Sequence, residues 1–195
     1  MFETALLFTG HMVDLPGRRT PRFPQLMESV VADVIKQHAG FVSERMEGSV
    51  IGISSAARGG DIVFLETIRD LGLETRMVLP SEPEAFVAAS VAGVTQGDWV
   101  DRFHALWNAH APDLREVVTV PAGANPYDCA NRRMLELGRT LARQQMLMAY
   151  WDGQAGDGPG GTVDYVKLVQ SAGGAVDHID AAYLLEAFQR ARLDG

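Results

Sequence analysis

The chain has 195 residues, 47% of them hydrophobic and 22% charged, which suits one soluble domain with a sizeable core. The net charge of −8 argues against a broad nucleic-acid surface, because Arg18, Arg19 and Arg22 form only a short basic cluster. A single cysteine, Cys129, excludes an intramolecular disulfide and a cysteine-based zinc site, and no metal site is predicted. With Glu3 where a signal peptide needs a basic residue, and no long apolar run, we expect a cytoplasmic protein that does not enter a membrane.

Two kinds of apolar segment alternate along the chain. Short runs rich in Val, Ile, Leu and Phe predict strands buried on both faces, at residues 4–9, 49–54, 75–79, 116–120, 147–151 and 176–179. Helical spacing predicts helices at 23–38, 60–71, 161–172 and 181–192. The alternation predicts one α/β domain over residues 1–195, with a mostly parallel sheet between two layers of helices.

Local signals place the starts of further helices. Ser81 and Glu84 have the spacing of a capping box, and Asn125 precedes Pro126 as a cap precedes a first turn. In the helix at 23–38, Leu26 belongs to the apolar stripe. The long segment 88–111 predicts an extra helix with a buried aromatic stripe, formed by Trp99, Phe103 and Trp107.

Parallel sheets bind ligands where loops leave the carboxyl ends of their strands, so polar and glycine residues at those points are candidate ligand contacts. The first strand is followed by Thr9, Gly10 and His11. The second leads into a helix start that exposes backbone amides to an anion, through Ser54, Ser55, Arg58, Gly59, Gly60 and Asp61.

Two further groups complete the candidate site. Asn131 and Arg132 lie on a helix, and the fifth strand ends at Trp151 and Asp152. The next helix is preceded by a glycine-rich loop, which either forms a tight turn or cradles an anion, with Thr162 as the predicted cap: Gly158, Pro159, Gly160, Gly161 and Thr162.

Each of these residues also has a purely structural interpretation. His11 either contacts a ligand, acts as a base or caps its turn, and Asp61 suits the first turn of any helix. Arg132 fits a solvated helix face, and Trp151 either stacks on a base or packs in the core.

Three motifs resemble the SLOG superfamily, in particular its YspA-like branch, which is related to DprA and to the cytokinin-activating LOG enzymes. Residues 57–61 resemble that branch's ARG-small-D step, residues 131–135 its RN-x-x-M helix, and residues 160–164 its GGxGTADM loop. The motifs occur in the family's order. The resemblance implies a Rossmann-like, three-layer α/β/α domain that binds nucleotides, NAD, ADP-ribose-like signals or cyclic nucleotides. Relatives of this kind occur beside bacterial signalling modules.

We therefore predict a binding or sensing domain for a nucleotide-derived signal, with no cofactor required. The alternative is a nucleotide or NAD N-glycosidase, for which Asp61, Asp152 and Asp164 are the available carboxylates and His11 the donor. A third reading is an interaction module whose glycine loops are only structural. A homo-oligomer is predicted, and an effector domain or partner protein would supply any signalling output.

Overall fold

The computed structural model describes residues 1–47, 49–155 and 159–193, which form a sheet of six parallel strands. The strands lie in the order β4-β3-β2-β1-β5-β6. Their bounds are β1 Phe2–Gly10, β2 Val50–Ser54, β3 Glu74–Leu79, β4 Arg115–Val117, β5 Ala142–Trp151 and β6 Ala175–Asp180. The helices are α1 Glu28–Arg45, α2 Gly60–Asp70, α3 Pro83–Phe86, α4 Trp99–Ala109, α5 Pro126–Leu141, α6 Thr162–Ser171 and α7 Ala181–Leu193.

Helices cover both faces of the sheet, which confirms the predicted three-layer α/β architecture. One core contains residues from α1, α2, α4 and α7, such as Ile35, Phe64 and Phe103. The second core lies on the opposite face beneath α5 and α6, with Leu137 and Tyr165. None of the described helices has the length and apolar character that a membrane crossing requires.

The strand predictions succeed where strands are buried on both faces. All five residues of β2 are buried, as are residues 4–8 of β1, so their sequences are almost continuously apolar. β4 is shorter than the predicted strand at 116–120, because it lies at the edge of the sheet and all its residues are half-buried. β5 begins earlier than predicted, since it pairs with β1 from Ala142 onwards.

Several predicted helix boundaries are wrong. The first helical segment opens with a 3-10 turn at Gln25–Met27, and Leu26 is 63% exposed instead of belonging to the apolar stripe. Ser81 does not cap α3, whose cap position is Glu82 without a side-chain hydrogen bond. Asn125 does cap α5, because its side-chain oxygen accepts hydrogen bonds from the amides of Tyr127 and Asp128 at 2.9 and 3.1 Å.

The predicted extra helix at 88–111 is two pieces. A π-helical turn at Val87–Val91 is followed by an irregular stretch, and α4 begins at Trp99. Trp99 and Phe103 are buried as predicted, whereas Trp107 is partly buried, stacked on Phe103 and beneath the guanidinium of Arg115.

The connections place a topological switch point between β1 and β5. These strands are neighbours, but β1 leads to α1 on one face of the sheet and β5 leads to α6 on the other. The loops after the two strands therefore separate and leave a crevice at their carboxyl ends, where open α/β sheets bind ligands.

Candidate functional site

Thr9 and Gly10 end β1 at the switch point, directly beside β5. Gly10 pairs in register with Tyr150, and the amide of His11 donates to the Tyr150 carbonyl at 3.0 Å. The Thr9 hydroxyl lies 3.2 Å from that of Thr162, the first residue of α6. The end of β1 and the start of α6 are therefore in contact.

His11, Asp152 and Arg22 form a cluster in which His11 is buried and the other two are partly buried. Nε2 of His11 accepts a hydrogen bond from the Asp152 amide at 3.1 Å and lies 3.3 Å from the Asp152 carboxylate. Burial lowers the pKa of His11 to about 4, and the charge of Arg22 acts in the same direction, while the Asp152 carboxylate opposes both. His11 is thus neutral near pH 7. Nε of Arg22 lies 3.1 Å from the other Asp152 oxygen.

The double glycine before α2 is packed inside the protein. The Gly60 amide donates to the His11 carbonyl at 3.1 Å, and the Arg58 amide donates to the Ser90 carbonyl at 3.0 Å. The Arg58 side chain donates to the carbonyls of Val13 and Ala92, each at 3.1 Å, and the residue is 5% exposed. This turn therefore ties the β1–α1 loop to the π-helical turn.

Asp61 is a buried carboxylate in the first turn of α2, 8% exposed. It accepts a hydrogen bond from the Ala57 amide at 3.3 Å, and the nearby Gly10 amide also lowers its pKa. Burial raises the pKa of Asp61 to about 7, and these hydrogen bonds only partly oppose the shift. The hydroxyl of Ser54 lies beside it without a hydrogen bond of normal geometry.

Tyr165 reaches the same region from α6. Its hydroxyl is buried and has no hydrogen-bond partner among the described residues. Burial, together with the charge of Asp61, raises the pKa of Tyr165. The buried ends of α2 and α6 thus approach each other through Asp61 and Tyr165.

A glycine turn fixes the start of α6. Gly160 has φ +79°, and a Cβ there would lie 2.6 Å from Cβ of Tyr127, so glycine is required. Its amide donates to the Asp164 carboxylate at 2.8 Å, and its carbonyl accepts from Nδ2 of Asn131 at 3.0 Å. Asp164 and Asn131 therefore hold the turn in place. Gly158 of the predicted loop lies outside the described residues.

The first amides of α6 have no hydrogen-bond acceptor among the described residues. Gly161, not Thr162 as predicted, is the cap residue, and its carbonyl accepts the first bonds, from Asp164 and Tyr165. In the described part of the chain no acceptor faces the amides of Gly161, Thr162 and Val163. The positive end of the helix is thus available at the switch point.

A cleft of about 460 Å³ adjoins this turn, between α5 and α6. Arg132 and Lys167 line it and are both exposed, and neither forms an ion pair with a described residue. The carboxylates of Asp128 and Asp164 also line the cleft. Lys167 was not predicted, although its position three residues after Asp164 places it on the same side of α6.

Two predicted contacts lie outside the crevice. Nε1 of Trp151 donates to the Gln154 carbonyl at 2.7 Å, and its ring packs against His178 of β6 at 5.7 Å, away from β1. The Ser55 hydroxyl points at the sulfur of Met134, 3.8 Å away beneath α5. The structure brings together the residues after β1, β5 and the α6 turn, with Asn131 and Arg132 alongside.

Replacement of Asp61 with asparagine tests its raised pKa. The folded protein holds this proton up to about pH 7, whereas an unfolded aspartate releases it near the ordinary value of 3.8. Folding therefore takes up a proton, so Asp61 makes the free energy of unfolding fall as pH rises from about 4 to 7, by up to roughly 4 kcal/mol. We expect Asp61→Asn to remove this dependence and to be at least as stable as the wild type at pH 8.

Urea unfolding between pH 4 and 8 measures this difference. His11 acts with the opposite sign, because its lowered pKa makes stability fall as pH drops from 6.5 towards 4. The informative quantity is therefore the free energy of unfolding of the wild type minus that of Asp61→Asn at each pH. Asp33→Asn, at an exposed position of α1, is the control for charge removal. A difference that does not vary with pH would contradict the raised pKa.

The fold and the site together define a three-layer α/β protein of the Rossmann-like class, with an open helix start at its switch point. No protein-family model matches the chain, and no curated protein is significantly similar to it. Among solved structures, the X-ray structure of DNA processing protein A (DprA) from Streptococcus pneumoniae aligns with 95% of this chain at 13% identity and a TM-score of 0.32. The chain spans 62% of that chain. A structural relationship this distant assigns neither a ligand nor an activity.

Proposed function

We propose that this protein binds a nucleotide or a nucleotide-derived signal through a phosphate held on the first turn of α6. The observation that carries the proposal is that the amides of Gly161, Thr162 and Val163, at the switch point between β1 and β5, have no acceptor in the part of the chain that the structure describes. Peptide N–H groups and the helix dipole at such a position favour an anion.

The neighbouring side chains support an anionic ligand. The hydroxyls of Thr9 and Thr162 meet at the same point, where one donates to the other and the second has its hydrogen left to donate to a phosphate oxygen. Arg132 and Lys167 bring two positive charges beside the turn, in a protein whose net charge is −8. The carboxylates of Asp128 and Asp164 line the same cleft, so its two cations offer local contacts to one small phosphorylated molecule and not the extended positive surface that a nucleic acid requires.

The α2 turn has a supporting role in this proposal. Arg58 and the Gly60 amide donate to backbone carbonyls, so they are not among the proposed phosphate contacts. Instead they fix the β1–α1 loop and thereby the positions of Gly10 and His11.

The N-glycosidase alternative receives less support. Its candidate groups already have internal partners: Asp61 binds backbone amides, Asp164 binds the Gly160 amide, and Asp152 lies between His11 and Arg22. A neutral His11 whose Nε2 accepts a hydrogen bond is poorly placed to donate a proton. Chromatography after incubation with NAD and nucleoside monophosphates tests this alternative, because any released base would support it.

Isothermal titration with AMP, ADP-ribose, NAD and a cyclic dinucleotide tests the proposal. We expect at least one to bind, and we expect Arg132→Ala with Lys167→Ala to weaken it by about 10- to 100-fold. That range corresponds to the loss of one or two hydrogen bonds from charged groups. Arg139→Ala, on the exposed side of α5 and outside the cleft, is the matched control.

Absence of binding by every compound would contradict the proposal. An equal loss of affinity in the double variant and in Arg139→Ala would mean that Arg132 and Lys167 act only through the overall charge of the protein and not through contact with the ligand.

The predicted homo-oligomer is a separate proposal, for which α7 offers the exposed side chains of Tyr183 and Leu193. Sedimentation that finds only a 21.2 kDa species would contradict it.

A further inference from the structure

We propose that the ring of Tyr127 stacks on the aromatic base of the bound ligand, next to the phosphate on the first turn of α6. The inference rests on the proposed function, because it identifies the contact for the other end of the same molecule. Tyr127 is the second residue of α5, and 36% of it is exposed.

Tyr127 packs against the glycine turn that precedes α6. A Cβ built on Gly160 would lie 2.6 Å from Cβ of Tyr127, so the tyrosine side chain begins beside the Gly160 backbone. Gly161 follows directly, and its amide is the first of the three that have no acceptor among the described residues. Tyr127 therefore touches the residue immediately before the proposed phosphate site.

The helical position of Tyr127 places its ring at the carboxyl edge of the sheet. Ala130 and Met134 follow it at spacings of three and seven residues, and both are buried against the sheet. The buried residues of α5 begin at Ala130, so Tyr127 continues the same side of the helix one turn beyond the packed core. Open α/β sheets bind their ligands at this edge.

A hydrogen bond fixes the orientation of the ring. Oη of Tyr127 lies 3.0 Å from Oγ of Ser90, a residue of the π-helical turn that is 4% exposed. The Ser90 carbonyl in turn accepts the hydrogen bond from the Arg58 amide, so the turn itself is held in place. Because the tyrosine is fixed at both its Cβ and its hydroxyl, a ligand that stacks on it loses little affinity to side-chain ordering.

The ring of Tyr127 is available to a ligand. In the described ranges, neither an aromatic ring nor a cation stacks on it. Trp151, the aromatic residue considered for stacking from the sequence, packs instead against His178. Aromatic side chains stack on any nucleobase, since every base has a π-face, so this contact selects a flat aromatic base as a class.

Adenosine and ribose 5-phosphate separate the base from the phosphate, because each probe carries only one of the two groups. Tyr127→Leu removes the ring but keeps an apolar side chain beside Gly160, and Tyr127→Phe keeps the ring without the hydroxyl. Phe41→Leu is the matched control, since it removes a 59% exposed ring near the end of α1 that leads to the start of β2. Ligand-observed NMR titration measures the affinities and the chemical shifts of the adenine protons.

We expect adenosine to bind Tyr127→Leu at least about fivefold more weakly than the wild type, which corresponds to the loss of one stacked base. Tyr127→Phe and Phe41→Leu should each stay within about twofold of the wild type, because both keep the stacking ring. Ribose 5-phosphate should bind all the variants equally. Stacking should also shift the adenine H2 and H8 signals upfield with the wild type and with Tyr127→Phe, and a merely structural role for Tyr127 would not do so.

The inference is overturned if adenosine does not bind the wild type or binds it without an upfield shift. It is also overturned if Tyr127→Leu weakens adenosine and ribose 5-phosphate equally, the result expected of a residue that only holds the glycine turn. Nuclear Overhauser contacts between the adenine protons and the Tyr127 ring of the wild type test the stacking even if Tyr127→Leu does not fold. Adenosine binding that depends on Tyr127, without binding of ribose 5-phosphate, would support the stacking and contradict the phosphate site.

Discussion

Gly161→Asp is expected to abolish the binding of phosphate-bearing ligands while leaving the protein folded. Gly161 is the cap residue of α6 and has an extended backbone, with φ −77° and ψ −171°, which any residue adopts. Aspartate is among the preferred residues at this position, because its carboxylate accepts bonds from the first helical amides. The substitution therefore stabilises the helix start and occupies the place proposed for the phosphate.

The expected loss of affinity is at least about 100-fold, because the variant removes donors to the phosphate and adds a like charge beside it. Isothermal titration with the best ligand measures the loss, and circular dichroism confirms the fold. Gly161→Asn is the matched control, since it caps the helix without a charge and should cost less affinity. If Gly161→Asp binds the ligand with wild-type affinity, the phosphate does not lie on the first turn of α6, and the proposed site is wrong.

The sequence predicted those parts of the fold in which burial alone decides the pattern. β1, β2 and the apolar side of α5 follow directly from the spacing of their hydrophobic residues. Boundaries were less predictable, because they depend on contacts distant in sequence. Leu26 has helical spacing but lies in a 3-10 turn that faces solvent, and β4 ends early at the sheet edge.

The two double glycines show why the site was only partly predictable. Gly59-Gly60 and Gly160-Gly161 look alike in sequence, since each precedes a helix that follows a strand. The first pair packs against the backbone of residues 11–13, nearly fifty residues earlier in the chain, and the second leaves its amides open. Local sequence contains no signal for that difference. The hydrogen bonds from Arg58 to the carbonyls of Val13 and Ala92 could not be predicted from the sequence for the same reason.

Gly59→Ala is expected to destabilise the protein by about 3 kcal/mol or more. Gly59 has φ +93° and ψ −124°, a conformation that costs other residues about 1–3 kcal/mol. A Cβ at this position would also lie 2.5 Å from the amide nitrogen of Val13 and 3.1 Å from the His11 carbonyl oxygen. These are backbone atoms, so the clash is relieved only if the β1–α1 loop moves away from α2.

Gly72→Ala separates the conformational cost of a positive φ from the steric cost of the added Cβ. Gly72 also has a positive φ, +73°, but a Cβ there meets nothing within 4 Å, so it should lose only about 1 kcal/mol of conformational energy. Urea unfolding at constant m-value measures both variants. If Gly59→Ala is as stable as Gly72→Ala, the loop does not depend on this contact. A much larger loss in Gly59→Ala would confirm that the close packing of this glycine against residues 11–13 holds the β1–α1 loop in place.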